Sequence, residues 1–192
     1  MSYGHIIEID RTKVFDPAAF IDRKWSIWRG APDGDGKSGP ENQDERSLAL
    51  TSIDLRKVRL ENCLARGEDS ITGEERRRRL ERAGHVRLDA GVFLALFGEF
   101  RRCIPPSWRE KTNGEITSIS FDGTLLRGPD GRRWVLKLYY SDGLLQHDVT
   151  GLDGVRWGAA NPAAVLPGGA AGLGSRLMHA LDWGRAAPAK AR

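Results

Sequence analysis

The acidic and basic side chains between Trp28 and Arg46 hold the most chemistry per residue in this chain. Asp33, Asp35, Glu41 and Asp44 are closely spaced oxygen ligands set among glycines, a composition that hard cations favour. The Ca²⁺-loop pattern fails, because Lys37 stands at a ligand position and no Gly follows it. A metal-assisted enzyme at Asp33, Asp35 and Glu41 is therefore one reading, and a solvated acidic loop is the plainer one. Ala31 to Ser38 also fits a loose phosphate-loop pattern that ends in Gly36-Lys37-Ser38. Real phosphate loops open into a helix whose N-terminus receives the anion. Here Gly39-Pro40 follows at once, and Asp33 and Asp35 would repel an anionic ligand, so no cofactor is expected. A third reading is docking of another protein. Trp25 and Trp28 flank the loop, and aromatic and Arg residues are the usual anchors of interfaces. Trp28, Arg29, Asp33, Asp35, Glu41 and Arg46 form that candidate binding set, and a non-catalytic protein-binding module is the leading expectation.

A second cluster is Arg76, Arg77, Arg78, Arg79 and Arg82, five arginines in seven residues. With the basic C-terminal end they make nucleic acid the alternative partner. A helix–turn–helix with a hairpin wing would place 90–103 as the recognition helix, but that segment is too apolar to read base edges. Four consecutive arginines also point all round a helix, and Glu74, Glu75 and Glu81 partly neutralise them. A solvated helix face is the plainer reading.

Other constellations are thin. His5, His85, His147 and His179 show no metal-ligand spacing. His147 falls on the core side of the sheet read below, where a hydrogen-bonded core histidine is the common case; no nucleophile motif accompanies it. Cys63 and Cys103 lie far apart in apolar surroundings and read as buried free thiols.

The elements that must position these groups follow from turn and cap signals. Between Glu115 and Trp157, Asp-Gly occurs at residues 122, 130, 142 and 153, separated by short apolar runs. Asp-Gly between alternating hydrophobics signals tight hairpins, so an antiparallel meander is expected. A turn at Asp142-Gly143 pairs Tyr140 with Leu145, Leu138 with His147 and Leu136 with Val149. A turn over Gly128 to Arg132 pairs Leu126 with Trp134 and Thr124 with Leu136. A turn at Asp122-Gly123 pairs Phe121 with Thr124 and Ile119 with Leu126. Because side chains alternate, Ile119, Phe121, Leu126, Trp134, Leu136, Leu138, Leu145 and Val149 share one buried face. Lys137 then faces Asp148, and Tyr139 faces Gln146, on the wetter side.

Upstream, strands are expected over 5–9 and 24–28, with a short helix over 17–22 capped by Asp16. Gly30 to Ser47 is a long irregular loop. Residues 48–60 lean towards strand and lead into a short helix over 61–65. Thr72 and Glu75 have capping-box spacing, which predicts a helix from Gly73 to Ala83 ended by Gly84. Asp89 caps a helix over 90–103 whose Val92, Phe93, Leu96, Phe97 and Phe100 form the best apolar face of the chain. Ile104-Pro105-Pro106 stops it, and Trp108 covers the junction.

These elements compose an α+β fold. It is a single domain over 1–167, a twisted antiparallel sheet with a C-terminal β-meander, packed by one apolar helix and joined by a second, Arg-rich surface helix. The 192 residues, 40% hydrophobic and 29% charged, are ordinary for a soluble globular protein. No apolar run approaches the ~20 residues a membrane span needs, and no signal-peptide pattern opens the chain, so a cytoplasmic location without membrane contact is expected. Of the net charge of +4, most lies in 168–192, where Arg176, Arg185, Lys190 and Arg192 outnumber Asp182. That stretch reads as a flexible, basic, Gly/Ala-rich tail, with at most a short amphipathic segment over 175–183. The body of the chain is nearly neutral, a weak advertisement for nucleic acid.

Several short motifs in order carry a resemblance: Trp25-Ser26-Ile27-Trp28-Arg29-Gly30, Asp33-Gly34-Asp35-Gly36, Arg46 to Thr51, Ser70 to Glu75, Val86 to Ala90, Ile104 to Trp108 and Phe121 to Thr124. Over about residues 5–166 the chain resembles a family of uncharacterised bacterial proteins of similar size. The resemblance implies one continuous domain with an appended tail, and it implies no activity.

Overall fold

The computed structural model describes residues 4–168; the expected tail beyond its first residue, with its 175–183 segment, lies outside them. In chain order the strands are β1 (Ile6–Glu8), β2 (Ser26–Ile27), β3 (Ser52–Asp54), β4 (Arg59–Glu61), β5 (Ser70–Thr72), β6 (Val86–Arg87), β7 (Lys111–Thr112), β8 (Glu115–Ile116), β9 (Ser118–Arg127), β10 (Arg133–Ser141), β11 (Leu144–Gly151), β12 (Arg156–Gly158) and β13 (Ala163–Leu166). The helices are α1 (Pro17–Phe20), α2 (Glu45–Leu48), α3 (Gly73–Arg82) and α4 (Ala90–Phe97).

The meander is the frame. Asp142 and Gly143 both take positive φ, 53° and 75°, as a mirror-image hairpin turn requires. Tyr140 accordingly pairs with Leu145, Leu138 with His147 and Leu136 with Val149. On the wet face the Lys137 ammonium stands 3.5 Å from Asp148. The Gly128–Arg132 turn closes with Gly131 N–H on the Gly128 carbonyl, 3.0 Å, and sets Trp134 against Leu126.

The third turn does not form. β9 runs unbroken through Asp122-Gly123, and Leu136 pairs with Phe121 rather than Thr124. Between Leu126 and Phe121 the strand advances five residues while β10 advances two, from Trp134 to Leu136. The extra residues bulge towards the segment before α4. Gly123 N–H donates to the Leu88 carbonyl at 2.9 Å, and the Gly123 carbonyl accepts from Asp44 N–H at 2.7 Å. A Cβ at Gly123 would lie 2.2 Å from the Arg87 carbonyl oxygen, so the close approach depends on glycine. The excess of three is odd, and it restores the face that the expected turn would have produced. Ile119, Phe121, Leu126, Leu136 and Leu138 are all buried together, with Trp134, Leu145 and Val149 packed on them.

The seven-stranded sheet has the order β11-β10-β9-β13-β4, with β2 also on β9 and β6 also on β13. Only the short β13–β9 contact is parallel. Of the two expected N-terminal strands, only β2 joins the meander's sheet, while β1 pairs with β3 in a separate two-stranded sheet.

α4 covers the apolar face. Phe93 meets Phe121 edge to face at 5.4 Å, and Val92, Phe93 and Leu96 are fully buried; each such side chain contributes about 1.5–3 kcal/mol. Asp89 accepts from Gly91 and Val92 N–H, as a cap should. The helix stops at Phe97, short of the expected Cys103, because Gly98 leaves helical geometry and Arg101–Cys103 forms a separate 3₁₀ turn. The expected helix over 61–65 is also absent. Cys63 takes a φ of 61°, which a right-handed helix cannot contain, and Leu64 N–H is satisfied by the Asn62 side chain. No helix among the described residues is long and apolar enough to cross a membrane.

Candidate functional site

The loop after β2 is a folded object. Trp28 N–H donates to the Leu125 carbonyl and its own carbonyl accepts from Asn42 N–H, both at 2.8 Å, so the loop's two ends are stitched side by side onto β9. Between them the chain closes on itself: Arg29 N–H reaches the Gly36 carbonyl at 3.0 Å, and Gly30 N–H reaches Pro40 at 2.8 Å. This is an Ω-loop, compact with neighbouring ends. Its centre is the Trp28 ring, which is 3% exposed and clusters with Leu125, Val135, Leu152 and Trp157. The indole N–H donates to the Ala31 carbonyl at 3.0 Å. Gly36, at a φ of 73°, crosses the ring face.

The candidate binding set is therefore divided. Trp28 is interior: it holds the loop's shape and presents no surface to a partner. Arg29 and Glu41 form an ion pair at 2.9 Å that bridges the loop's base. Arg46 is a tie within the fold, donating to both Asp44 oxygens and to the carbonyls of Gly84 and His85. Asp33 and Asp35 remain at the exposed tip with Pro32 and Lys37. Asp35 accepts from Lys37 N–H at 2.9 Å, and Arg127 holds the Asp35 carbonyl at 3.0 Å.

The geometry does not gather Asp33, Asp35 and Glu41 as ligands. Among the described residues no three His, Cys, Asp or Glu side chains stand together as a metal site. Glu41 is spent on Arg29 and Gln43, and Asp44 is buried as the cap of α2. Burial would raise the Asp44 pKa, yet hydrogen bonds from Arg46 and from Arg87 N–H outweigh it and hold the carboxyl below its ordinary value.

The arginines of α3 also divide. Thr72 caps the helix and Gly84 ends it, as the spacing predicts. Arg76 is wholly buried: it donates to both oxygens of Asp122 at 2.7 and 2.8 Å, to Ser120 at 2.7 Å and to the Asn161 carbonyl at 2.6 Å. Its guanidinium lies 3.8 Å over the Trp157 ring. Arg77 is 6% exposed and donates to the Asn42 side chain at 2.8 Å; burial draws its pKa down. Arg79 is clasped by Glu68 and Glu75. Arg78 and Arg82 stay in solvent, each beside Glu75. α3 is a surface helix, but its inward face is cationic, which corrects the reading of all five arginines as a solvated or phosphate-contacting face.

Arg77 brings the two clusters together. It links α3 to the loop's base through Asn42, and a cleft of about 300 Å³ opens there between Pro32 and Asp33 on one side and Glu74, Arg77, Arg78 and Glu81 on the other. Two carboxylates hold this frame in roles the sequence reading does not assign them: Asp44, read as a loop oxygen ligand, and Asp122, read as part of a turn. Asp44 stands one residue before a short helix, a cap signal that was available; Asp122 looked like a turn residue.

His147 lies on the helix side of the sheet but at its rim, exposed, with its ring 4.9 Å from Phe20 and 4.6 Å from Phe97. It is not the enclosed core histidine expected. Both cysteines are free, and burial pushes the Cys63 thiol up to about 11, so it stays protonated and unreactive near neutrality. Comparison with protein-family models, curated proteins and solved structures found no match to this chain.

Proposed function

We propose that the protein is a non-catalytic, cytoplasmic binding module that engages another protein through the tip of the Ω-loop, residues 31–38, and the adjoining cleft of α3. The resemblance to a bacterial family over residues 5–166 belongs to the same proposal. The observation that supports it most is the Trp28 ring beneath Gly36. A loop already ordered from within binds without the entropy cost of ordering its backbone. What it then offers is Pro32, Asp33, Asp35 and Lys37, an acid-rich tip suited to a basic partner surface. The ion pairs of α3 weaken the nucleic-acid alternative, since arginines already matched by carboxylates release few counterions from a phosphate backbone.

A photo-cross-linking residue at Pro32 tests this. One protein captured through Pro32, and lost in an Asp33→Arg, Asp35→Arg variant of unchanged melting temperature, supports the reading. Equal capture of the same protein from a cross-linker at Leu144 would sink it.

A further inference from the structure

The seven-stranded sheet ends on two unlike edges. At one, β4 is three residues long and carries Arg59 and Glu61, the short and charged form that discourages pairing with another chain. At the other, β11 runs from Leu144 to Gly151 without proline or lysine, in an unbroken ladder with β10. Among the described residues no strand lies on its outer side. Leu144 is 62% exposed, and His147 and Asp148 are exposed as well. A long edge of this kind is a template for a further strand.

Alternate residues of an antiparallel strand bond to its neighbour, and the others turn their main-chain groups away. The tight turn at Asp142-Gly143 makes Ser141 and Leu144 a bonded pair. Leu144, Gln146, Asp148 and Thr150 therefore bond to β10, while Leu145, His147 and Val149 face outward. The Val149 N–H agrees, since it donates to the Asp148 side chain at 2.8 Å and not to β10. Among the described residues no hydrogen bond reaches the outward N–H and C=O groups of Leu145 and His147.

Side chains decide what fits this edge. Set antiparallel against itself about a two-fold axis at His147, β11 is its own complement. Leu145 of one copy meets Val149 of the other, both half-buried side chains already packed on the core. Gln146 meets Asp148, and Leu144 meets Thr150. An axis at Asp148 would set two carboxylates face to face, and one at Gln146 would set Leu145 on His147. The axis at His147 forms about six main-chain hydrogen bonds, because the outward residues of each copy pair with one another. Asp148 then yields the Val149 N–H to the Leu145 carbonyl of the other copy. Phe20 and Phe97 support the His147 ring from within its own chain, at 4.9 and 4.6 Å. A foreign strand would require no such symmetry in β11.

We infer that the protein forms a two-fold dimer by antiparallel pairing of β11 with β11 of a second copy about His147, which joins the two seven-stranded sheets into one. The dimer stands on observations separate from the Ω-loop.

Sedimentation velocity of the full chain between about 1 and about 300 µM tests it. An interface built on one strand pair is small and is expected to dissociate in the micromolar range, so the sedimentation coefficient climbs from the monomer to the dimer value across that span. Gln146→Asp sets like charges opposite Asp148 twice about the axis and weakens dimerisation about three- to thirtyfold. Gln146→Lys sets opposite charges there and tightens it. His147→Pro removes the central outward N–H, which β10 does not use, and leaves a monomer. Each variant is first shown to melt like the parent at low concentration, and the two Gln146 variants decide the matter if the proline variant does not. In the parent, the Leu145 and His147 amides exchange more slowly at the high concentration. A monomer at every concentration, which would leave the edge to a foreign strand, overturns the inference. So does a dimer whose affinity ignores both Gln146 substitutions, or one that protects amides elsewhere than β11.

Discussion

Gly36 crosses the face of Trp28 so closely that a Cβ there would sit 2.5 Å from the ring's Cε3 atom. The contact ties a surface loop to an interior cluster. The ring is shared by both, packing on Leu125 and Val135 below and on the loop backbone above. Shape at the loop tip therefore depends on a side chain that never reaches solvent.

Gly36→Ala should open the loop. The new methyl meets the ring, and the left-handed φ of 73° adds strain for any side chain. A loss of about 1–3 kcal/mol in urea unfolding is expected, in the range of overpacked sites. Trp28→Ala should cost more, about 3–5 kcal/mol, as for other buried aromatic truncations. Hydrogen exchange should show the amides of Arg29 and Gly30 losing protection first in Gly36→Ala. Protection lost uniformly across the sheet would contradict a local role.

The Arg76–Asp122 pair, fully buried on both sides, should be costly to break and cheap to replace. Asp122→Asn or Arg76→Met alone leaves one group without its partner and is expected to destabilise by about 3–5 kcal/mol. The double variant Arg76→Met, Asp122→Leu should recover much of that loss. A denaturation double-mutant cycle measures the coupling; additive losses would show that the two side chains act independently.

Acid should weaken the fold in a defined window. Hydrogen bonds from Arg79 hold the Glu68 carboxyl at about 2, and those from Arg56 hold Asp54 at about 2. Both folded values lie below the unfolded range of about 4. A depressed pKa stabilises fully above the unfolded value and is lost as pH falls through the folded one. Melting temperature should thus be flat down to about pH 5 and decline between about pH 4 and pH 2. Glu68→Gln should lower the plateau and flatten the decline. A melting temperature that rose on acidification across that window would refute this account.

The sequence determined what neighbouring residues settle among themselves. Asp142-Gly143 makes a hairpin because its own backbone tolerates positive φ, and that turn sets the register of β10 and β11. Thr72 and Asp89 start their helices by bonding amides two or three residues ahead. Alternation along the meander identified the buried face, and the apolar stripe of α4 found its cover. The tertiary structure decided everything whose partner is distant. Asp122-Gly123 has the same local letters as a turn, yet Arg76, 46 residues away, and the Leu88 carbonyl claim it for a bulged strand. Trp28 reads as an interface anchor because it is an aromatic residue beside an arginine at the base of a long loop; Leu125 and Val135 bury it. The arginines of α3 were indistinguishable in sequence, since a helix displays four consecutive residues on all sides. Only tertiary packing, of β9 against Arg76 and of the Ω-loop's base against Arg77, made these two interior and left Arg78 and Arg82 in water.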